Sequence, residues 1–357
     1  MIDLKQYGYI ETEMPTDNQI PGRVTEVQRE QYTVVTNRGE VSAMLKGSFY
    51  HNADVSEDFP CIGDFVFLQY NDSGPSLIIK LLPRRSKFSR ADFSGHAEGY
   101  AKTILEQMVA VNFDYVFIVS SLNKDFKVSR ITRYLTQARQ SGGQPVVILT
   151  KADLLPDFET HVAEVQSSAP IVPVYAVSAH TGFGLDVLEE YLQPGKTIVF
   201  LGMSGVGKSS LLNALMKEDV MLVKAIREDD SRGRHTTTHR QLFMLPSGAM
   251  VIDTPGMREL GLFGAEDGIS ASFADIEELF AECRFSNCKH QTEPGCAVLS
   301  ALNNGSLPQE QWDDYLAQKR ENKFVDDKAG YLQEKKQWGK DISKFSRNLY
   351  KNGGKKR

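Results

Sequence analysis

Residues 197–216 read TIVFLGMSGVGKSSLLNALM: an apolar run, a glycine-rich turn and a helix-forming stretch. Gly202, Gly207, Lys208 and Ser209 match G-x-x-x-x-G-K-[ST], with a strand before and a helix after, the context the pattern needs. Glycines let the backbone N–H groups of Gly202, Met203, Ser204, Gly205, Val206 and Gly207 wrap an anion without Cβ clashes. The helix start at Lys208, Ser209 and Ser210 adds favourable potential for phosphate. Lys208 is expected on the β- and γ-phosphates and the Ser209 hydroxyl on Mg²⁺. A loop of this kind sits at the carboxyl end of a parallel strand. The surrounding chain is therefore expected to be a doubly wound α/β sheet.

The flanking sequence supplies that sheet. Apolar runs at 115–121, 145–151, 171–179, 197–203 and 249–256 read as strands, with VSRITRYLTQARQSG and GLDVLEEYL as the clearest helices between them. Polar motifs close the strands. After PVVIL comes Thr150-Lys151-Ala152-Asp153. The Asp153 carboxylate can accept hydrogen bonds from guanine N1–H and the 2-amino group, whereas adenine would leave it desolvated and unpaired. Lys151 is expected to lay its stem along the base and tie this loop to the phosphate loop. Ser178-Ala179-His180 offers a backbone contact to guanine O6, and Asn123 either extends the pocket or caps the next helix.

Asp253-Thr254-Pro255-Gly256 is a D-x-x-G element, whose Asp holds Mg²⁺ through water and whose Gly256 amide senses the γ-phosphate. The polar loop SRGRHTTTHR (231–240) precedes it, and Thr237 is the residue expected on Mg²⁺. These elements are those of a GTPase in the order base, base, phosphate, switch, switch. Lys151 precedes Lys208 by 208 − 151 = 57 residues, the reverse of the ordinary order. Five elements at five strand ends point to a circularly permuted fold. Met257 stands where a water-orienting Gln is familiar, and it cannot position water. His235 is the candidate catalytic residue, with His239 beside it, and hydrolysis is expected to be slow without a partner.

On the N-terminal side, about five short strands with turn signals at Asn37-Arg38-Gly39 and NDSGP suit an OB-fold barrel. LPRRSKFSR (82–90) reads as a basic linker leaving it. On the C-terminal side, Cys283, Cys288, His290 and Cys296 follow the spacing C-x₄-C-x-H-x₅-C, a donor set that closes a tetrahedral zinc site to water and marks it as structural. Gly295 eases the turn. Arg284, Lys289 and the helix after them, read as basic, are expected to face RNA phosphates.

The net charge of −5 is unevenly spread. Residues 331–357 hold nine Lys or Arg against two acids, so this tail carries +7 and the remainder −12. A basic tail on an acidic body suits an anionic partner, nucleic acid above all. The N-terminus has no basic-then-apolar leader pattern and no run reaches the ~18 apolar residues of a membrane span. A cytoplasmic protein without membrane contact is expected.

Barrel, permuted GTPase and cysteine module in this order resemble the bacterial ribosome-small-subunit-dependent GTPase A family (RsgA, also called YjeQ). The resemblance covers about residues 20–305 and rests on TKAD, GMSGVGKSS, GRHTTTHR, DTPG followed by an apolar residue, and CRFSNCKHQTEPGC. It implies a multidomain α/β protein: an RNA-binding barrel and linker over 1–90, the GTPase domain over 91–269, a helical zinc module over 270–330 and the basic tail over 331–357. It further implies a monomer that binds GTP, Mg²⁺, one structural Zn²⁺ and ribosomal RNA, acts in late assembly of the small subunit, hydrolyses GTP faster on that subunit, and uses His235 in hydrolysis. The competing expectation is a GTP-gated module acting on another RNA or ribonucleoprotein.

Overall fold

The computed structural model describes residues 1–28, 31–47, 49, 58–92, 105–123, 126–219, 241–253 and 264–326. Five N-terminal strands, β1 (Ile20–Gln28), β2 (Gln31–Thr36), β3 (Gly39–Leu45), β4 (Phe65–Gln69) and β5 (Ser76–Leu81), form a closed barrel. β1, β2 and β3 are an antiparallel meander, β3 lies parallel to β5, and β4 pairs with both β5 and β1. That order, 1-2-3-5-4-1, is OB-like. Inward positions Val24, Val34, Ala43, Val66, Leu68 and Ile78 are fully buried and fill it. The stretch before the turn at Asn37 and Arg38 holds two strands, β1 and β2; the turn then leads into β3, where Gly39 takes φ +119°.

Residues 82–90 do not behave as a linker. Arg84 forms a bidentate pair with the buried Asp64, and β6 (Lys87–Asp92) pairs antiparallel with β7 (Leu105–Val111). Phe88 packs into the core of the following domain.

That domain is built on β8 (Tyr115–Ser121), β9 (Gln144–Thr150), β10 (Val174–Val177), β11 (Thr197–Leu201), β12 (Gln241–Met244) and β13 (Met250–Asp253). Their spatial order is β10-β9-β8-β11-β13-β12; the first five are parallel and β12 runs antiparallel to β13. The strands read as unbroken apolar runs because both faces are covered. Val116, Ile118, Val147, Leu149, Val199 and Leu201 face α1 (Val128–Gln140) and α2 (Phe158–Ser168). Phe117, Val119, Ile148, Phe200 and Val251 face α3 (Lys208–Met216). GLDVLEEYL, read as a helix, contributes only a 3-10 turn over Asp186–Glu190. The first of these strands runs outward to one edge by way of β9 and β10, and the chain then returns to place β11 on the other side of β8. This is the rotated strand order expected of a circularly permuted fold.

Barrel and parallel sheet are continuous through the pairing of Glu26 in β1 with Gln241 in β12. Beneath this seam lies Arg23, with no exposed surface. Its guanidinium donates to the carbonyls of Tyr7 (2.6 Å), Gly63 (3.3 Å) and Asn112 (2.9 Å) and to Thr197 Oγ1 (2.9 Å), and contacts Met250 Sδ at 3.2 Å. Burial pulls it down to about 9, aided by Arg85 and opposed by Asp114 and Asp64, so it remains a cation at neutral pH.

The C-terminal module comprises α4 (Glu266–Ser272), α5 (Ala274–Ala281), α6 (Ala297–Asn304) and α7 (Gln309–Asp326) around Ile269, Phe273, Ile276, Val298, Trp312 and Tyr315. It docks on α1: Gly268 N donates to Gln140 Oε1 at 2.7 Å, Arg139 Nη1 donates to Ala271 O at 2.9 Å, and Arg133 pairs with Glu321. Gly268 permits the approach, since a Cβ there would lie 2.3 Å from Thr136 O. The helix expected to be basic is not: α7 carries Lys319, Arg320 and Lys323 against Glu310, Asp313, Asp314, Glu321 and Asp326. Among the described residues no helix is long and apolar enough to cross a membrane.

Candidate nucleotide site and metal centre

Because β8, β9, β10, β11 and β13 are parallel, their carboxyl ends share one edge of the sheet. Register brings the sequence motifs together there: Ser121 lies opposite Thr150, Thr150 opposite Val177, Leu201 opposite Ile118, and Phe200 opposite Asp253. Residues from Ser121 to Asp253, scattered through the chain, thus come to one edge, with Ser121 and Thr150 three residues beyond the level of Leu201.

The phosphate loop leaves β11 at Gly202, where φ is +152° and a Cβ would fall 2.3 Å from Val119 O of the neighbouring strand. Gly205 and Gly207 also take left-handed φ, +84° and +99°. Only glycine meets both demands cheaply. Met203, Ser204, Ser209 and Ser210 are partly exposed along the loop and the first turn of α3, and Val206 is buried beneath them. Lys208 is largely buried, and its Nζ donates to the carbonyls of Gly202 and Met203 at 2.8 Å each. Burial pulls this ammonium down to about 8, with Asp253 opposing the shift. Asp253 ends β13, almost wholly buried, on the strand adjoining β11.

Two contacts join the base-side loop to the phosphate loop. Thr150 Oγ1 donates to Val206 O, and Lys151 Nζ donates to Gly205 O at 3.1 Å. Lys151 itself takes φ +65°, rare for a side-chain-bearing residue, and this bend starts the 3-10 turn Ala152–Leu154 that presents Asp153 to solvent. Ser178 is fully buried at the end of β10: its N donates to Phe183 O at 2.9 Å, and its carbonyl and Oγ accept from the Gly182 and Thr181 amides. Ala179 follows, half-buried. Asn123 is exposed beyond β8, and its Oδ1 accepts from Ser121 Oγ at 3.0 Å. Ser121 is a further member of this edge that belongs to no sequence motif; its place at the end of a strand is the one signal for it. Thr237, Gly256, Met257, His235 and His239 lie outside the described residues.

The four metal donors do come together. Cys283 Sγ and Cys296 Sγ are 4.0 Å apart, and His290 Nδ1 lies 3.6 Å from the first and 3.4 Å from the second. With Cys288 included, all donor atoms lie within 4.8 Å of one another. A tetrahedral zinc with Zn–S near 2.3 Å has donor–donor edges of about 3.8 Å. The cluster could hold such an ion. Burial alone would raise the Cys283 thiol, but the Ala297 and Val298 amides and the neighbouring thiols bring it below its ordinary value, toward the thiolate a metal needs. Cys296 caps α6, its sulfur accepting from Leu299 N. On the outer side Arg284, Phe285 and Lys289 are exposed, with the Arg284 guanidinium 5.5 Å from the Phe285 ring centre.

A family model described as RsgA GTPase matches residues 81–263. The chain is 42% identical to the small ribosomal subunit biogenesis GTPase RsgA 1 of Listeria monocytogenes, over 99% of both chains. It is 46% identical to the small ribosomal subunit biogenesis GTPase RsgA of Streptomyces avermitilis, covering 86% of this chain and 80% of that one. Among solved structures, YjeQ from Thermotoga maritima superposes with a TM-score of 0.61 at 26% identity, covering 84% of this chain and 96% of the other. YloQ, a circularly permuted GTPase, superposes at 0.56 with 23% identity over 85% and 96%, a likeness of fold. Strand order, phosphate loop and near full-length identity agree, and the chain belongs to the RsgA GTPase family.

Proposed function

We propose that this GTP hydrolase acts on the small ribosomal subunit during its assembly, as the names of its relatives state for those proteins. Gly202, Met203, Ser204, Gly205, Val206, Gly207, Lys208, Ser209, Ser210 and Gly256 take the phosphates; Asn123, Thr150, Lys151, Asp153, Ser178 and Ala179 take the guanosine. Ser209, Thr237 and Asp253 serve Mg²⁺. His235 orients the attacking water in place of the missing Gln, with the subunit completing the site. Cys283, Cys288, His290 and Cys296 hold one structural Zn²⁺. Barrel, zinc module and the tail at 331–357 contact ribosomal RNA, with Arg284 and Lys289 on its phosphates and Phe285 available for stacking. The protein works as a cytoplasmic monomer, divided into the units 1–90, 91–269, 270–330 and 331–357.

The observation that carries the nucleotide assignment is the Lys151–Gly205 contact. Two motifs that are far apart in sequence, and reversed in order, meet at one strand edge. In a GTPase the base loop and the phosphate loop must meet in this way for one nucleotide to touch both. The test is GTP turnover with and without purified small subunits, at low and high salt. Stimulation that fades with salt supports the reading, because phosphate contacts release counterions. Unstimulated turnover with nucleotide binding intact would point to another RNA.

A further inference from the structure

Glu293 lies within the metal loop and is not one of its donors, yet three backbone amides converge on its carboxylate. Oε1 accepts from Lys289 N at 2.9 Å, and Oε2 accepts from Gln291 N at 2.9 Å and Thr292 N at 3.0 Å. These amides bracket His290, which takes φ +56°. Left-handed backbone is disfavoured for a residue with a Cβ and persists only where surrounding contacts over-determine it. Successive amides turned inward make an anion-binding concavity. Here the anion is the chain's own carboxylate.

The backbone carbonyl of Glu293 also accepts from Cys296 N at 3.3 Å, so the residue is tied to two of the four donors. The His290 ring is held from the other side. Phe280 stacks on it with centroids 4.3 Å apart and planes 21° from parallel, and Trp312 meets it edge-on at 6.1 Å. With backbone and ring both fixed, Nδ1 faces the sulfurs of Cys283 and Cys296.

We propose that Glu293 preorganises the metal loop, acting as a built-in anion that holds His290 in its ligating conformation. This rests on the metal reading given above. Side chains that orient metal ligands without touching the ion typically contribute 10- to 100-fold in affinity. Glutamine is close in shape but cannot replace Glu293: its single oxygen can serve only one side of the loop, and its NH₂ would face N–H donors.

The experiment is cobalt binding to the full-length chain, stripped of metal under reducing conditions, followed by zinc competition. Glu293→Gln is expected to lower metal affinity by about 10- to 100-fold while leaving the cobalt visible spectrum that of a tetrahedral three-sulfur, one-nitrogen site. Cys288→Ser serves as the ligand control and should change that spectrum. A thermal melt at saturating zinc reports whether the Gln variant is folded, and Glu293→Asp, which keeps the charge, should bind with intermediate affinity. Affinity for Glu293→Gln within about twofold of wild type, or a changed ligand spectrum, would overturn the proposal while the metal site stands. A wild-type chain that takes up no cobalt would remove the metal reading and this inference together.

Discussion

Replacing Arg23 with methionine isolates what joins the barrel to the GTPase sheet. Methionine keeps most of the aliphatic stem and removes the guanidinium. Of its acceptors, Gly63 O retains a second donor in Asn112 Nδ2 at 3.1 Å. The carbonyls of Tyr7 and Asn112 lose the donor that Arg23 supplied. A buried acceptor left unsatisfied costs about 1–3 kcal/mol, or roughly 2–6 for the two. Removing a desolvated cation returns part of this, because among the described residues no carboxylate pairs with the guanidinium and hydrophobic replacements of buried charges can be neutral or better. A net loss of about 2–4 kcal/mol is expected. Urea unfolding followed by far-UV circular dichroism measures it. GDP affinity measured in parallel should hold, since Thr197 and Met250 lie at the opposite ends of β11 and β13 from the phosphate loop and Asp253. A loss below about 1 kcal/mol would show that the five contacts are compensated by the desolvation of the charge, and the clamp reading would fail.

The pH dependence of nucleotide binding follows from Lys208. Burial holds its free-protein value at about 8, below the usual lysine, and a bound triphosphate favours the protonated form. Above that pH, binding must take up a proton, so GTP affinity should fall by up to about tenfold per pH unit; titrations from pH 7 to 9 giving a flat profile would refute it. Lys151→Met removes the bond to Gly205 O and should weaken GDP several-fold with little change in thermal stability, as calorimetric titration and a melt would show. Cys288→Ser, or chelation of the wild type, should lower the stability of the module around Phe273, Phe280 and Trp312 while leaving GDP binding unchanged; equal loss of both would mean that the metal centre supports the nucleotide domain.

Most of the nucleotide edge was legible because its motifs are tied to strand ends. A run buried on both faces, such as YVFIVSS, announces itself by composition, and its span is that of β8. The barrel was legible from alternation and turn residues, though no Gly or Pro marks the junction of β1 and β2. β6 was taken for a linker since its charged residues suggest solvent; the bulge in its ladder lies on the partner strand, where Val109 of β7 is skipped between the pairs Phe88–Ala110 and Ser89–Met108. Arg23 was invisible for a different reason. In GRVTEV an arginine reads as solvent-facing, and only the docking of a second sheet buries it. At GLDVLEEYL the expected helix is a 3-10 turn over Asp186–Glu190, with the left-handed Gly184 before it and the left-handed Gly195 after it. Glu293 carried no signal beyond its position between His290 and Cys296; what it does depends on three amides that a sequence cannot aim.

Base loop and phosphate loop, reversed along the chain, are expected to build one guanine-nucleotide site. Equilibrium binding of GDP, ADP and XDP to the wild type and to Asp153→Asn tests this most directly. GDP is expected far ahead of ADP for the wild type. Weakened GDP and gained XDP are expected for the variant, because an amide donor can pair with the xanthine 2-oxo group where the carboxylate paired with guanine's N–H groups. ADP bound as tightly as GDP, or GDP affinity untouched by the substitution, would contradict this.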